Sequence, residues 1–114
     1  MIKSYTDLEQ SKKLAKILPI ESADMLWGYY YNGKDYCVPN IRPFRDMHDN
    51  IPKGYTPAWS LAALFNILPN ENMLVKTTDG KCYCLAKDVM TKHYDNLVDA
   101  CVDMIIKLKE LNLL

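Results

Sequence analysis

Apolar and polar positions change period along the chain, and each change marks an element. A helical period covers Asp7 to Leu18: Leu8, Ser11, Ala15 and Leu18 share one face with Leu14 beside them, while Lys12, Lys13 and Lys16 look outward. Thr6 and Glu9 fit a capping box at its start, and Pro19 ends it. Period two follows in MLWGYYY-NG-KDYCV, residues 25–38, where Asn32-Gly33 predicts a two-residue type I′ hairpin turn. That turn sets Tyr31 opposite Lys34, Tyr29 opposite Tyr36 and Trp27 opposite Val38. Residues 39–55 carry prolines and mixed charges without period and predict an irregular loop. In TPAWSLAALFNILP, residues 56–69, Thr56 as cap, Pro57 at the first helical position and Pro69 as stop predict a helix apolar on nearly every side. Such a helix belongs in the middle of a small core. A second hairpin is predicted over 73–86 around Asp79-Gly80. The last helix runs from Asn96 to Leu111, capped by Asp95 or Asn96, with Asp99, Asp103, Lys107 and Glu110 as its polar stripe.

These elements predict a single α+β domain over residues 1–114, ordered helix–hairpin–helix–hairpin–helix. The hairpins are expected to join into one four-stranded antiparallel sheet, with the three helices mainly on one face. The stretches 6–38 and 56–86 look alike: LAKILP and LFNILP each precede Met-Leu, a Gly-Lys turn and a Tyr-Cys pair. This reads equally as an internal helix–hairpin repeat and as two units sharing turn glycines and prolines by necessity.

Charge narrows the function classes. Lys+Arg and Asp+Glu are both 14 in 114 residues, so the formal net charge is zero and a broad phosphate-binding stripe is not expected. No apolar run nears the roughly 18 residues that suggest a membrane span. The opening MIKSYTDLEQSKK lacks the apolar run of a signal peptide. A soluble cytoplasmic chain is the expectation. Cys37, Cys82, Cys84 and Cys101 are then expected to be reduced, buried thiols.

Strand alternation divides each hairpin into two faces. One carries Leu26, Gly28, Tyr30 and Cys37, with Met73, Val75, Cys82, Cys84 and Ala86, and suits packing against helices. The other carries Trp27, Tyr29, Tyr31, Tyr36 and Tyr83, with Leu74, Leu85, Lys34, Lys76 and Lys81. This aromatic, partly basic face is the candidate binding site. A protein partner or a second copy is the first expectation, because Trp and Tyr are enriched at binding hot spots. The alternative is single-stranded nucleic acid, with bases stacked on the rings and phosphates drawn by the lysines. A face covered by the chain itself is the plain structural reading. All three depend on register, since a shift of one residue exchanges the faces.

Other chemistry finds less support. Cys82 and Cys84 form a C-x-C pair on an extended run, unlike the C-x₂₋₄-C turns that hold zinc, so no metal or cofactor is expected. No phosphate-binding glycine loop or H-E-x-x-H is present, and no family signature surrounds His48 or His93 beside a cysteine. A non-enzymatic protein is the expectation; a small enzyme built on the loop at 39–55 is the last alternative.

The opening SYTDLEQSKKLAKILPIESADM, the central PAWSLAALFNILP and the closing DNLVDACVDMIIKLKELNLL together resemble a group of small uncharacterised proteins of gut anaerobic bacteria and their integrated phages. The resemblance covers a little over half the chain, in packing and capping residues. It implies a small accessory protein of bacterial or phage origin and carries no catalytic residue, cofactor or partner.

Overall fold

A computed structural model describes residues 3–29, 34–39 and 54–114, with residue 29 and residues 35–39 defined by their backbone. Its elements are helix α1 (Leu8–Ala15), a 3₁₀ turn (Ile20–Ser22), strands β1 (Met25–Tyr29), β2 (Asp35–Pro39) and β3 (Thr56–Ala58), helix α2 (Leu61–Ile67), strands β4 (Met73–Lys76), β5 (Cys82–Ala86) and β6 (Val89–Met90), and helix α3 (Leu97–Glu110). The fold is α+β with three helices among the described residues. The strands do not join into the predicted four-stranded sheet. They form two separate antiparallel sheets, ordered β2-β1-β3 and β4-β5-β6.

The division follows from the segment before α2. Thr56 and Pro57 do not cap a helix; they form β3, which lies along the side of β1 away from β2 and sets Leu26 opposite Pro57 and Trp27 opposite Thr56. An edge strand tolerates a proline because its missing N–H can face away from the ladder. Helix α2 starts later, where the Ser60 side chain accepts from the Ala63 amide. It is also less buried than its composition suggests: Ala63 and Leu64 are buried, whereas Ala62 and Asn66 are exposed and Phe65 is 49% exposed.

Helix α1 is capped by Asp7 and Gln10 in a reciprocal capping box, one residue later than Thr6 and Glu9 would place it. Thr6 is fully buried instead. Its amide donates to the Trp59 carbonyl at 2.9 Å, its Oγ1 accepts from the Trp59 amide at 3.1 Å, and the same oxygen lies 2.7 Å from Ser11 Oγ. Trp59 is 0% exposed, and its indole donates to Ser22 Oγ on the 3₁₀ turn. The helical residue expected at the start of α2 is thus the junction of the N-terminal segment, β3 and the turn before β1.

Both hairpin registers differ by one residue from the two-residue-turn expectation. In the first, Trp27 lies opposite Cys37, Gly28 opposite Tyr36 and Tyr29 opposite Asp35. Five residues, 30–34, separate that last pair, and the predicted turn itself lies outside the described residues. In the second, Leu74 lies opposite Cys84 and Val75 opposite Tyr83. Here Thr78, Asp79 and Gly80 make a three-residue loop: the Gly80 amide donates to the Thr77 carbonyl and the Thr77 amide to the Lys81 carbonyl. Gly80 has φ +86 and open space where a Cβ would stand, so its conformation and not crowding calls for glycine.

The two-residue turn occurs where no glycine announces it. Ala86 pairs with Val89, and Lys87 and Asp88 between them both have positive φ, 50° and 61°. Past β6 the chain bulges by one residue before Tyr94 rejoins Cys82 through two backbone bonds of 2.7 Å. Thr91 fills the gap: its amide donates to the Cys84 carbonyl, and its Oγ1 accepts from the Cys84 amide.

One core spans both sheets. It joins Leu14, Leu26, Trp59, Leu64 and Cys84 with Val98, Cys101, Met104, Ile105 and Leu108 of α3, which is capped by Asn96 as expected. Helix α1 packs on β3, and α3 packs on β5 and α2. Each fully buried Leu or Met here contributes about 1.5–3 kcal/mol. A polar clamp at Asp99 ties the two ends of the chain together: Lys3 donates to it at 2.8 Å, Gln10 at 2.7 Å and Asn96 at 2.9 Å. Burial works to raise its carboxyl pKa, but these hydrogen bonds outweigh it and hold the value below the usual carboxylate range.

Left-handed backbone at two non-glycine residues costs about 1–2 kcal/mol per residue. Replacing Lys87 by Asn and Asp88 by Gly should therefore raise stability by about 1 kcal/mol. The check is the midpoint of urea unfolding at unchanged slope; an unchanged or lower midpoint contradicts the turn assignment.

Candidate functional site

The described residues of the expected aromatic face are divided between two sheets. Trp27, Tyr29 and Tyr36 belong to the first sheet, whereas Tyr83, Lys76 and Lys81 belong to the second. Trp27 is half-buried by its own chain: the indole donates to the Thr6 carbonyl at 2.9 Å, and the Tyr5 ring packs edge-on at 6.0 Å. Tyr29 and Tyr36 are known by register, and Tyr36 lies opposite Gly28 and not Tyr29. Tyr31 lies outside the described residues. Lys34 is exposed just before β2.

In the second sheet the shifted register exchanges residues between faces. Lys76 lies opposite Cys82, away from Tyr83, and both line a cleft of about 310 Å³ with Lys3, Leu61 and Asn96. Lys81 is ion-paired with Asp95. Neither lysine therefore stands free beside the Tyr83 ring, which is stacked on His93 at 4.8 Å and 8°. Leu74 joins the buried side, while Met73 and Val75, expected against the helices, move to the outer one.

That outer face has a clear composition. Met73, Leu85 and Met90 stand opposite one another across β4, β5 and β6, with Met73 57% and Met90 58% exposed. Val75 and Tyr83 form the next row, both partly exposed. Beyond the methionine row, Met73 and Leu85 border a surface cleft of about 400 Å³ shared with Glu71, Lys87 and Asp88. The face is thus an apolar patch with mixed charges at its ends. Met90 was not legible as part of it, because nothing between Ala86 and Val89 reads as a turn by composition. The usable signal was alternation: CYCLA and VM flank a polar pair, which is a hairpin pattern without the glycine.

The inner face of the same sheet carries Cys82 and Cys84, and Cys101 lies on α3, which packs on β5. Cys82, Cys84 and Cys101 are buried free thiols. Burial pushes Cys84 up to about 11; burial, then the nearby Cys84, pushes Cys101 up to about 12. Neither has thiolate character at neutral pH. Among the described residues no three His, Cys, Asp or Glu side chains converge as a metal site would require. Residues 40–53 of the expected irregular loop, with His48, lie outside the described residues.

Fold and surface together define a small α+β protein with an open apolar sheet face. No protein-family model, curated protein or solved structure matches the chain. No helix among the described residues is long and apolar enough to cross a membrane.

The thiols give a direct check. At neutral pH an alkylating reagent should label Cys84 and Cys101 no faster than the protein unfolds, read by mass spectrometry against urea concentration. Labelling within the mixing time under native conditions contradicts their burial.

Proposed function

We propose that the protein acts without chemistry of its own, by binding another protein chain through the outer face of the second sheet. The Met73–Leu85–Met90 row carries this reading, because two large apolar side chains stand more than half exposed on either side of a third. Contiguous apolar surface of this kind marks interaction sites, and flexible thioethers adapt to a partner's shape. Among the described residues, Tyr83 is the member of the expected aromatic set that belongs to this face. A partner protein or a second copy of the chain both fit it. Nucleic acid fits it less well, since Lys81 is engaged by Asp95 and Lys76 is across the sheet from Tyr83.

The test is site-specific photo-cross-linking in the source cell. A photoreactive side chain at position 90 should give a discrete protein adduct, and the same group at exposed Lys12 on α1 should not. Met73→Lys should abolish the adduct while shifting stability by no more than about 0.5 kcal/mol. Equal adducts from both positions, or adducts with nucleic acid, contradict the proposal.

A further inference from the structure

Strand β4 ends its sheet, and its outer edge is unpaired among the described residues. The Thr77 amide bonds to Lys81, while on the far side of β5 the Cys82 and Cys84 amides turn to Tyr94 and Thr91. Antiparallel ladders alternate, so Leu74 and Lys76, opposite Cys84 and Cys82, turn their N–H and C=O groups away from β5. Among the described residues no hydrogen bond takes those groups. An open edge of this kind is a template for another strand.

We propose that this edge pairs antiparallel with the same edge of a second copy of the chain, across a two-fold axis at Leu74. The pairing goes beyond the association reading above, because it joins two outer faces edge to edge and enlarges the surface on which a partner would bind. The edge is self-complementary in this register. Leu74 exchanges both backbone bonds with Leu74 of the second copy, and Met73 meets Val75 of the second copy on the outer face. The Met90–Leu85–Met73 row then runs on into Val75 and Tyr83 of the second copy, so one apolar surface covers a six-stranded sheet. Charge agrees: Lys76 comes opposite Asn72 of the second copy, next to its Glu71, and no two lysines are paired. A formal net charge of zero adds no long-range repulsion between copies. A two-fold pairing also closes itself, leaving no β4 edge for a third chain. Because β4 is only four residues long, the contact falls at the weak end of interface sizes and should dissociate on dilution.

Amide hydrogen exchange and sedimentation velocity on the same dilution series test this. The Leu74 and Lys76 amides should gain protection in step with the dimer fraction and lose it on dilution. Lys76→Pro removes an outward donor that an edge strand can spare, and should weaken the dimer about tenfold or more while leaving α3 amides protected. The exchange measurement on the unsubstituted protein stands whether or not that variant folds. Free exchange of both amides in a solution of dimers overturns the edge pairing. A dimer lost in Met90→Lys but retained in Lys76→Pro also overturns it, and leaves the outer face itself as the contact. A monomer at every concentration overturns the second copy as partner, and the cross-linking at position 90 then decides the face separately.

Discussion

The exchange between Thr6 and Trp59 is the constraint on which the rest of the structure depends. A tryptophan with 0% exposure brings a large apolar surface into the core, but its backbone must be satisfied there. Thr6 does this with both its amide and its hydroxyl, and so draws the N-terminal segment alongside β3. The Leu61 amide bonding to the Ser4 carbonyl extends the same alignment. Three consequences follow. Residues 56–58 are held as a strand, helix α2 is pushed to start at Leu61, and the Thr6 carbonyl is left in place to accept the Trp27 indole.

That closure divides the molecule into two kinds of surface. In the first half the chain covers its own aromatic residue, Trp27, with Tyr5 and Thr6. In the second half α3 covers only the cysteine side of β5, where Cys82, Cys84 and Ala86 are buried. The opposite side keeps Met73, Leu85 and Met90 in one row because the three-residue loop at Gly80 and the two-residue turn at Lys87–Asp88 fix their registers. Among the described residues, this hydrophobic surface that stays exposed beside a complete core is what the proposed binding role rests on.

Much of the fold was legible because helices and strands differ in period. The ends of α3, the antiparallel pairing of β1 with β2 and of β4 with β5, and the outward lysines of α1 follow from spacing and capping residues. Register was not legible, because Asp-Gly suits both a two-residue turn and the last positions of a three-residue loop, and the two differ by one residue. That single residue moved Met73 and Val75 to the outer face and Lys76 off it. Thr56-Pro57 failed for a related reason: a β-branched residue before proline describes a helix start and an edge strand equally well, and only the contact with β1 decides. The four-stranded sheet gave way to two three-stranded ones, with β3 taking the side of β1 that a second hairpin could have joined. Of the candidate site, Tyr83 was legible and Met90 was not, because local composition hides a turn made by Lys87 and Asp88.

The most direct measurement is residue-resolved hydrogen exchange at the Thr6 and Trp59 amides and the Trp27 indole. If the Thr6–Trp59 junction holds the fold together, all three should exchange only through global unfolding, at the rate of the Cys101 and Ile105 amides in α3. If the Thr6 amide and the Trp27 indole exchange quickly while α3 stays protected, the N-terminal segment is not locked onto Trp59. Trp27 would then be open, and the contrast between a covered Trp27 and an open Met73–Leu85–Met90 row would be wrong.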